Sequence, residues 1–190
     1  MTTHLYLTHP QVKIDPAVPV PEWGLSDQGR ERLDILLKGN VLAGIQRIIT
    51  SAERKAIETG EIIGAKLGLA IEIIEATHEN DRSATGFLPP PEFEKAANEF
   101  FSNPEKSMRG WERAVDAQAR IVSVVERALA GSPEKRTLFA GHGGVGTLLM
   151  CHIAGYPIHR VRDQPPGGGN YFGFTWRPKA LLTGWTACDA

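Results

Sequence analysis

Cysteine is nearly absent from this 190-residue chain, which has only Cys151 and Cys188. Two cysteines make no disulfide framework and fit a reducing compartment. An excess of charge of either sign is missing too. Lys and Arg number 21 against 22 Asp and Glu, a net of −1. With no basic field, the chain has no general hold on nucleic acid or on an anionic membrane. Any anion it binds is held by a few local cations. No apolar run approaches the roughly 20 residues that span a bilayer. The start, MTTHLYLTHP, has no basic segment followed by a long apolar one, so no signal peptide is expected. Internal repeats and low-complexity tails are also lacking. The expectation is a cytoplasmic protein with no nucleic-acid or membrane partner, its oligomeric state open.

What is there is ordinary globular material. Hydrophobic residues make up 42% and charged ones 23%, enough for one domain over residues 1–190 with a full core. Leu5-Tyr6-Leu7 is a short buried strand that ends at Thr8-His9-Pro10-Gln11, because proline cannot continue a central strand. The proline-dense stretch 12–21 is an extended surface loop. Ser26 or Asp27 caps a helix over about 27–38, with Leu33, Leu36 and Leu37 on one face. Ile45–Ile49 is a second strand, and a helix over about 53–67 follows it, with Ser51 as its N-cap and Gly68 closing it. Ile71–Ile74 is a third strand, running into the titratable cluster Glu75–Arg82. Residues 83–110 form a cap-like insertion: a rigid Phe87-Leu88-Pro89-Pro90-Pro91 base and a helix over about 91–101. A helix over about 110–130 has Trp111, Val115, Ala119, Val122, Val125 and Leu129 on its face. Thr137–Ala140 is a strand ending at Gly141-His142-Gly143-Gly144, with a helix over about 144–154. A glycine-rich loop at 163–170 leads to a hairpin, Tyr171–Trp176 with Leu181–Trp185, turning at Arg177-Pro178.

Alternating strands and helices predict an α/β three-layer sandwich, a mostly parallel central sheet with helices on both faces. In such sheets ligands sit at the carboxyl ends of strands. Three strand ends carry chemistry: His9, Ser51 with Arg54, and His142. The acidic cluster around Glu79 lies at a fourth. Arg54, near a helix start, suits an anion. The glycines beside His142, Gly143 among them, make a nest of N–H groups for an oxyanion. Two histidines, an arginine and a carboxyl group form a phosphoryl-transfer set. A neutral imidazole attacks phosphorus, cations spread the charge of the transferring oxygens, and a carboxylic acid protonates the leaving oxygen. His4, His9, His78, His142, His152 and His159 lack tight ligand spacing, so no metal or other cofactor is expected.

Taken together these stretches resemble the histidine phosphatase superfamily, with the phosphoglycerate mutase-like fold. The family's apolar strand ends in Arg-His-Gly, where this chain has Leu7-Thr8-His9-Pro10. Its Leu-Thr-x-x-Gly helix opening is matched by Leu25-Ser26-Asp27-Gln28-Gly29. Its Ser-x-x-x-Arg-Ala-x-x-Thr-Ala stretch is matched by Ser51–Gly60, with Arg54 taken as one of the arginines this region carries. The acid is matched by Glu79 and the late Gly-His by Gly141-His142. The resemblance implies His9 as phosphoryl acceptor, with Glu79 and His142 as its catalytic partners. Arg54, Thr8, Gln11, Arg82 and Gly143 are the implied substrate-binding residues.

The departure is a divergent first motif, Thr-His-Pro in place of Arg-His-Gly. It removes a cation that would keep His9 neutral. Thr8 offers one neutral hydrogen bond instead. The replacement cation is expected to be Arg82, then Arg30 or Lys55. Two functions follow. One is a phosphatase acting on a small phosphorylated molecule or a phosphoprotein through a phosphohistidine at His9. The other is a catalytically impaired phosphate-binding or protein-interaction module on the same fold. The short insertion leaves little to hold the diphosphorylated intermediate of a mutase.

Overall fold

The computed structural model describes residues 1–190. Its strands are β1 (His4–Thr8), β2 (Arg47–Thr50), β3 (Ile71–Ile73), β4 (Thr137–Gly141), β5 (Asn170–Trp176), β6 (Lys179–Leu181) and β7 (Thr186–Ala187). Its α-helices are α1 (Asp27–Lys38), α2 (Arg54–Leu67), α3 (Pro90–Ser102), α4 (Ala114–Ala130) and α5 (Gly143–Ala154). One sheet runs β3-β2-β4-β1-β5-β6, with β7 on β5. The first four strands of that order are parallel, and β5, β6 and β7 join antiparallel. The sheet is thus mixed, a parallel half carrying an antiparallel extension.

Side-chain alternation builds the three layers. Leu5 and Leu7 face one way along β1 and Tyr6 the other. Leu5, Leu7, Ile48 and Leu138 meet Leu33 and Leu36 of α1 and Ile63 of α2. Tyr6, Ile49, Phe139, Phe172 and Phe174 meet the buried faces of α3, α4 and α5. The stretch 83–110, expected as a cap-like insertion, is part of the core. Its helix α3 puts Ala96, Phe100 and Phe101 into this larger core. No helix is long and apolar enough to cross a membrane.

Element ends follow local chemistry. Ser26 caps α1 by accepting the Gly29 N–H. Gly68 closes α2 in the left-handed conformation at φ 68°. The N-cap of α2 is Glu53 rather than Ser51, and β2 runs Arg47–Thr50 rather than from Ile45. Two further elements differ from expectation. Helix α4 starts at Ala114 rather than near 110. Arg109 and Gly110 both take positive φ, which ends helical continuity before Trp111. The last hairpin turns where expected, but β6 is only Lys179–Leu181. Beyond it the Thr183 hydroxyl takes the Gly173 N–H at 2.9 Å, and the chain curls back to pair Thr186 with Tyr171.

Candidate active site

Strands β1 and β4 lie side by side in parallel, with Thr8 opposite Gly141. The residues that follow them therefore emerge together at one sheet edge. His9 and His142 stand with ring centroids 5.3 Å apart, edge to face. The ladder continues one step past β1, since the His9 N–H donates to the Gly141 carbonyl at 2.9 Å. His142 is clamped from below by Tyr6, whose hydroxyl donates to the His142 carbonyl and accepts the His142 N–H, both at 3.0 Å. Gly141 and Gly146 leave room for that ring; a Cβ at either would sit 2.4 Å from a Tyr6 atom.

The two imidazoles are tethered at opposite nitrogens. His9 Nδ1 is 2.9 Å from the Pro10 carbonyl, an acceptor, so Nδ1 carries the proton. That leaves the Nε2 lone pair free. Burial pulls the His9 pKa down to about 3, and His142 and Lys55 push the same way. His142 is held instead at Nε2, 2.7 Å from Ser51 Oγ and 3.4 Å from Glu53 Oε1. Its Nδ1 is buried with no hydrogen-bond partner. Burial also lowers the His142 pKa, although Glu53 and Glu79 pull against it.

Behind the histidines lies a buried ion pair. Lys55 is 3% exposed, and its ammonium donates to the Glu53 carboxylate and to the Val20 carbonyl. Burial would raise the Glu53 pKa, but His142, Lys55 and the Glu79 N–H outweigh it and hold the carboxyl well below its usual range. Lys55 is thus the cation that acts on His9. Arg82, the expected first choice, faces the Glu79 side of the site rather than His9. Its guanidinium lies 5.1 Å from the Phe93 ring and 5.6 Å from that of Trp111, with no ion pair or hydrogen bond, and it acts on Glu79 and His142.

Glu79 caps α5. Its carboxylate accepts N–H groups from Gly144, Val145 and Asn80, each at 3.0 Å. Burial favours the neutral acid, but Arg82, His142 and these amides prevail and lower its pKa. Arg120 holds the loop in place, donating to the carbonyls of Ala76, His78 and Glu79 and pairing with Glu112. A second buried donor without a partner, Asn80 Nδ2, belongs to the same loop.

Other expected ligands are placed differently. Arg54 is 61% exposed and paired with Glu58, which Arg30 also engages. The register explains the slip. In the family stretch Ser-x-x-x-Arg-Ala-x-x-Thr, counting from Ser51 puts the cation at Lys55, with Ala56 and Thr59 in step. Charge type had pointed one residue early. Gln11 is taken up by Arg32, which donates to its Oε1 at 3.0 Å. Thr8 is fully buried, and its hydroxyl is used within the protein. It donates to Gln164 Oε1 at 2.7 Å and accepts the Asn170 N–H at 3.0 Å. Gly143 does open α5, beneath the Gln164 amide. Glu53, Tyr6 and Gln164 were not singled out from the sequence.

The site can therefore present a free imidazole nitrogen beside a buried cation, unpartnered buried polar groups and a helix N-terminus. That set suits a tetrahedral oxyanion. Two surface clefts lie elsewhere, one at Arg47, Glu72 and Arg127 and one at His4, Arg136 and Thr183, and neither gathers such a set. No group of three His, Cys, Asp or Glu side chains is placed to hold a metal ion.

Known proteins share the family pattern and the fold. A model of the histidine phosphatase superfamily (branch 1) matches residues 17–178, starting beyond Thr8-His9-Pro10. The fold is similar to that of a mycobacterial glucosyl-3-phosphoglycerate phosphatase solved with inorganic phosphate, at TM-score 0.83 and 18% identity over 100% of both chains. It is similar to Bacillus stearothermophilus YhfR, at TM-score 0.83 and 20% identity over 100% of both chains. It is also similar to a phosphoserine phosphatase from Entamoeba histolytica in complex with 3-phosphoglyceric acid, at TM-score 0.80 and 12% identity over 100% of both chains. No curated protein sequence matches the chain.

Proposed function

The chain belongs to the histidine phosphatase superfamily, and on that premise we propose that it hydrolyses a phosphomonoester through a phosphohistidine at His9. The observation that carries this reading is the His9 ring, neutral and tied at Nδ1 to the Pro10 carbonyl, with Nε2 free. A nucleophilic imidazole needs that tautomer and that charge state.

The steps follow from the groups around it. Nε2 attacks phosphorus and the ester P–O bond breaks. Lys55 and His142 stabilise charge on the phosphoryl oxygens. For His142 to donate from Nδ1, its Nε2 accepts a hydrogen bond from the Ser51 hydroxyl, which the 2.7 Å contact allows. The leaving oxygen takes a proton from the Glu79 carboxyl. Glu79 is ionised in the free site, but a phosphoryl dianion beside it adds like charge and raises its pKa toward a proton-carrying range. Water then attacks the phosphohistidine, Glu79 takes the water's proton, and the P–N bond breaks. His9 returns neutral and phosphate leaves. Small phosphorylated compounds are the favoured substrates, since the similar structures were solved with inorganic phosphate and 3-phosphoglyceric acid.

One observation favours a second reading. Thr8 occupies the place of a family arginine and its hydroxyl is turned inward. A site with one cation fewer can bind phosphate without turning esters over. Turnover of p-nitrophenyl phosphate by the parent and by His9→Ala separates the two. The expected result is a loss on the order of 10⁴-fold or more in His9→Ala, with acid-labile phosphate trapped on the parent alone. Equal rates in the two proteins would sink the phosphatase; phosphate binding without turnover would favour the binding module.

A further inference from the structure

Thr8 raises a question that the nucleophile does not answer, namely what faces the phosphoryl group where a family arginine is missing. The loop between α5 and β5 offers a group in that position. Gln164 Oε1 receives two donors, the Thr8 hydroxyl at 2.7 Å and Asn170 Nδ2 at 3.0 Å. Asn170 Nδ2 can only donate, and it also serves the Pro165 and Gly168 carbonyls, so it fixes which way the Gln164 amide faces; a flipped amide would set an N–H group against it. The Nε2 end is therefore turned the other way. It lies over the first residue of α5, so close that a Cβ at Gly143 would be 2.2 Å from it. Cβ vectors tilt toward a helix's N-terminus, so that contact lies at the open end of α5, beside His142. Gln164 Nε2 has no acceptor in the protein, although its Oε1, the Thr8 hydroxyl and Asn170 Nδ2 are all engaged.

The loop is built to hold this arrangement. Gly167, Gly168 and Gly169 all have positive φ, and the Gly169 N–H donates to the His9 carbonyl at 3.0 Å. A Cβ at Gly168 would be 2.4 Å from that same carbonyl oxygen. Asn170 adds bonds to the Pro165 and Gly168 carbonyls. The loop is thus pinned to the nucleophile's own backbone, and Thr8 acts as its bracket.

We propose that Gln164 is a substrate-binding residue whose Nε2 donates to a non-bridging phosphoryl oxygen, a neutral replacement for the absent arginine that Thr8 and Asn170 hold in orientation. This rests on the phosphate site proposed above. It adds that the fourth wall of the site comes from loop 163–170 rather than from the end of β1. It also gives Thr8 a positioning role through Gln164.

Calorimetric titration of inorganic phosphate into the parent, Gln164→Glu and Gln164→Met tests this. Gln164→Glu keeps an oxygen for Thr8 and Asn170 and exchanges only the donor for a repelling charge. Expected is a loss of affinity of about 10- to 100-fold at pH 8. The gap to the parent should narrow at pH 5 as the introduced carboxyl takes a proton and regains a donor, a response that loosened packing would not give. Gln164→Met should bind weakly at both pH values and covers the case in which the acidic variant fails to fold. Affinity equal to the parent in either folded variant overturns the assignment, as does a Gln164→Glu gap that ignores pH. A parent that binds phosphate but does not turn over esters defeats the phosphatase and leaves Gln164 in place; a parent that binds no phosphate defeats both.

Discussion

The ends of β1 and β4 are neighbours in register, each followed at once by a histidine, yet they leave their imidazoles in different states. His9 is half-buried and tied through Nδ1 to a carbonyl, which frees Nε2. His142 is fully buried and tied through Nε2 to Ser51 and Glu53, which frees Nδ1. Backbone geometry alone would not separate them. The residue after each does. Pro10 turns the chain out of the sheet and offers its carbonyl back to the ring, whereas Gly143 starts a helix and draws His142 down to the tip of the core as its N-cap. One position of the sheet thus yields two imidazoles with opposite free nitrogens, the pair the proposed mechanism uses as nucleophile and charge-stabilising partner.

The sharpest way to break this difference is to remove the charge the two rings share. Lys55→Met takes away the cation that helps keep both neutral and leaves Glu53 buried without its partner. Breaking a buried pair from one side costs about 3–5 kcal/mol, to be read as a drop in the urea midpoint at unchanged slope. In a protein that still folds, the His9 pKa rises and the acid limb of the pH–rate profile moves to higher pH. A variant as stable as the parent would remove Lys55 from this account. Lys55→Arg, which keeps the charge, should recover most of both properties.

That lysine also marks what could be read in advance. The apolar runs that stop at His9 and His142, the carboxyl group at Glu79 and the helix start at Gly143 were legible, because proline and glycine punctuate a strand or helix wherever they occur. The sequence points to Arg54 as the anion ligand, and the structure turns the neighbouring Lys55 inward. Arg54 is the stronger anion ligand by type, but the helix turns it outward to Glu58 and turns Lys55 inward. Gln11 and Thr8 were read as ligands from nearness in sequence to His9, and the fold uses both as struts. Gln164 had no local signal at all. It reaches the site from a loop whose geometry depends on three glycines and on Asn170. Tyr6 had the look of core, and it is core, with a hydroxyl that only the neighbouring strand explains.

Acidification should act on both rings and on His4, whose pKa burial lowers to about 4, with Arg136 pushing the same way. Each of these histidines is neutral in the folded state and has a pKa below that of the unfolded chain. The unfolded state therefore binds more protons at mildly acidic pH. The stabilisation is complete above about pH 6.5 and is lost as pH falls toward about 4. At pH 5 the loss is on the order of 2 kcal/mol for His4 and for His9. Thermal unfolding followed from pH 7.5 to pH 5 should show a falling midpoint, and His4→Gln should flatten part of that fall without touching the site. A midpoint independent of pH over this range would mean that these rings gain protons without penalty.

The smallest change isolates one histidine from the other. Tyr6→Phe keeps the ring that packs against Phe172 and removes only the hydroxyl that holds the His142 N–H and carbonyl. Both backbone groups then lie buried without that partner, at a cost of about 1–3 kcal/mol. His9 keeps its own bonds to Gly141, Pro10 and Gly169, so its nucleophilicity should be unchanged. The kinetic signature follows from the roles. In the proposed mechanism His142 stabilises charge in the transition state and His9 makes the bond, so loosening His142 alone should lower kcat several-fold while the His9 pKa in the pH–rate profile stays where it was. A shifted pKa with kcat intact would mean that the Tyr6 clamp serves the nucleophile, and that the two strand ends are less independent than their hydrogen bonds make them.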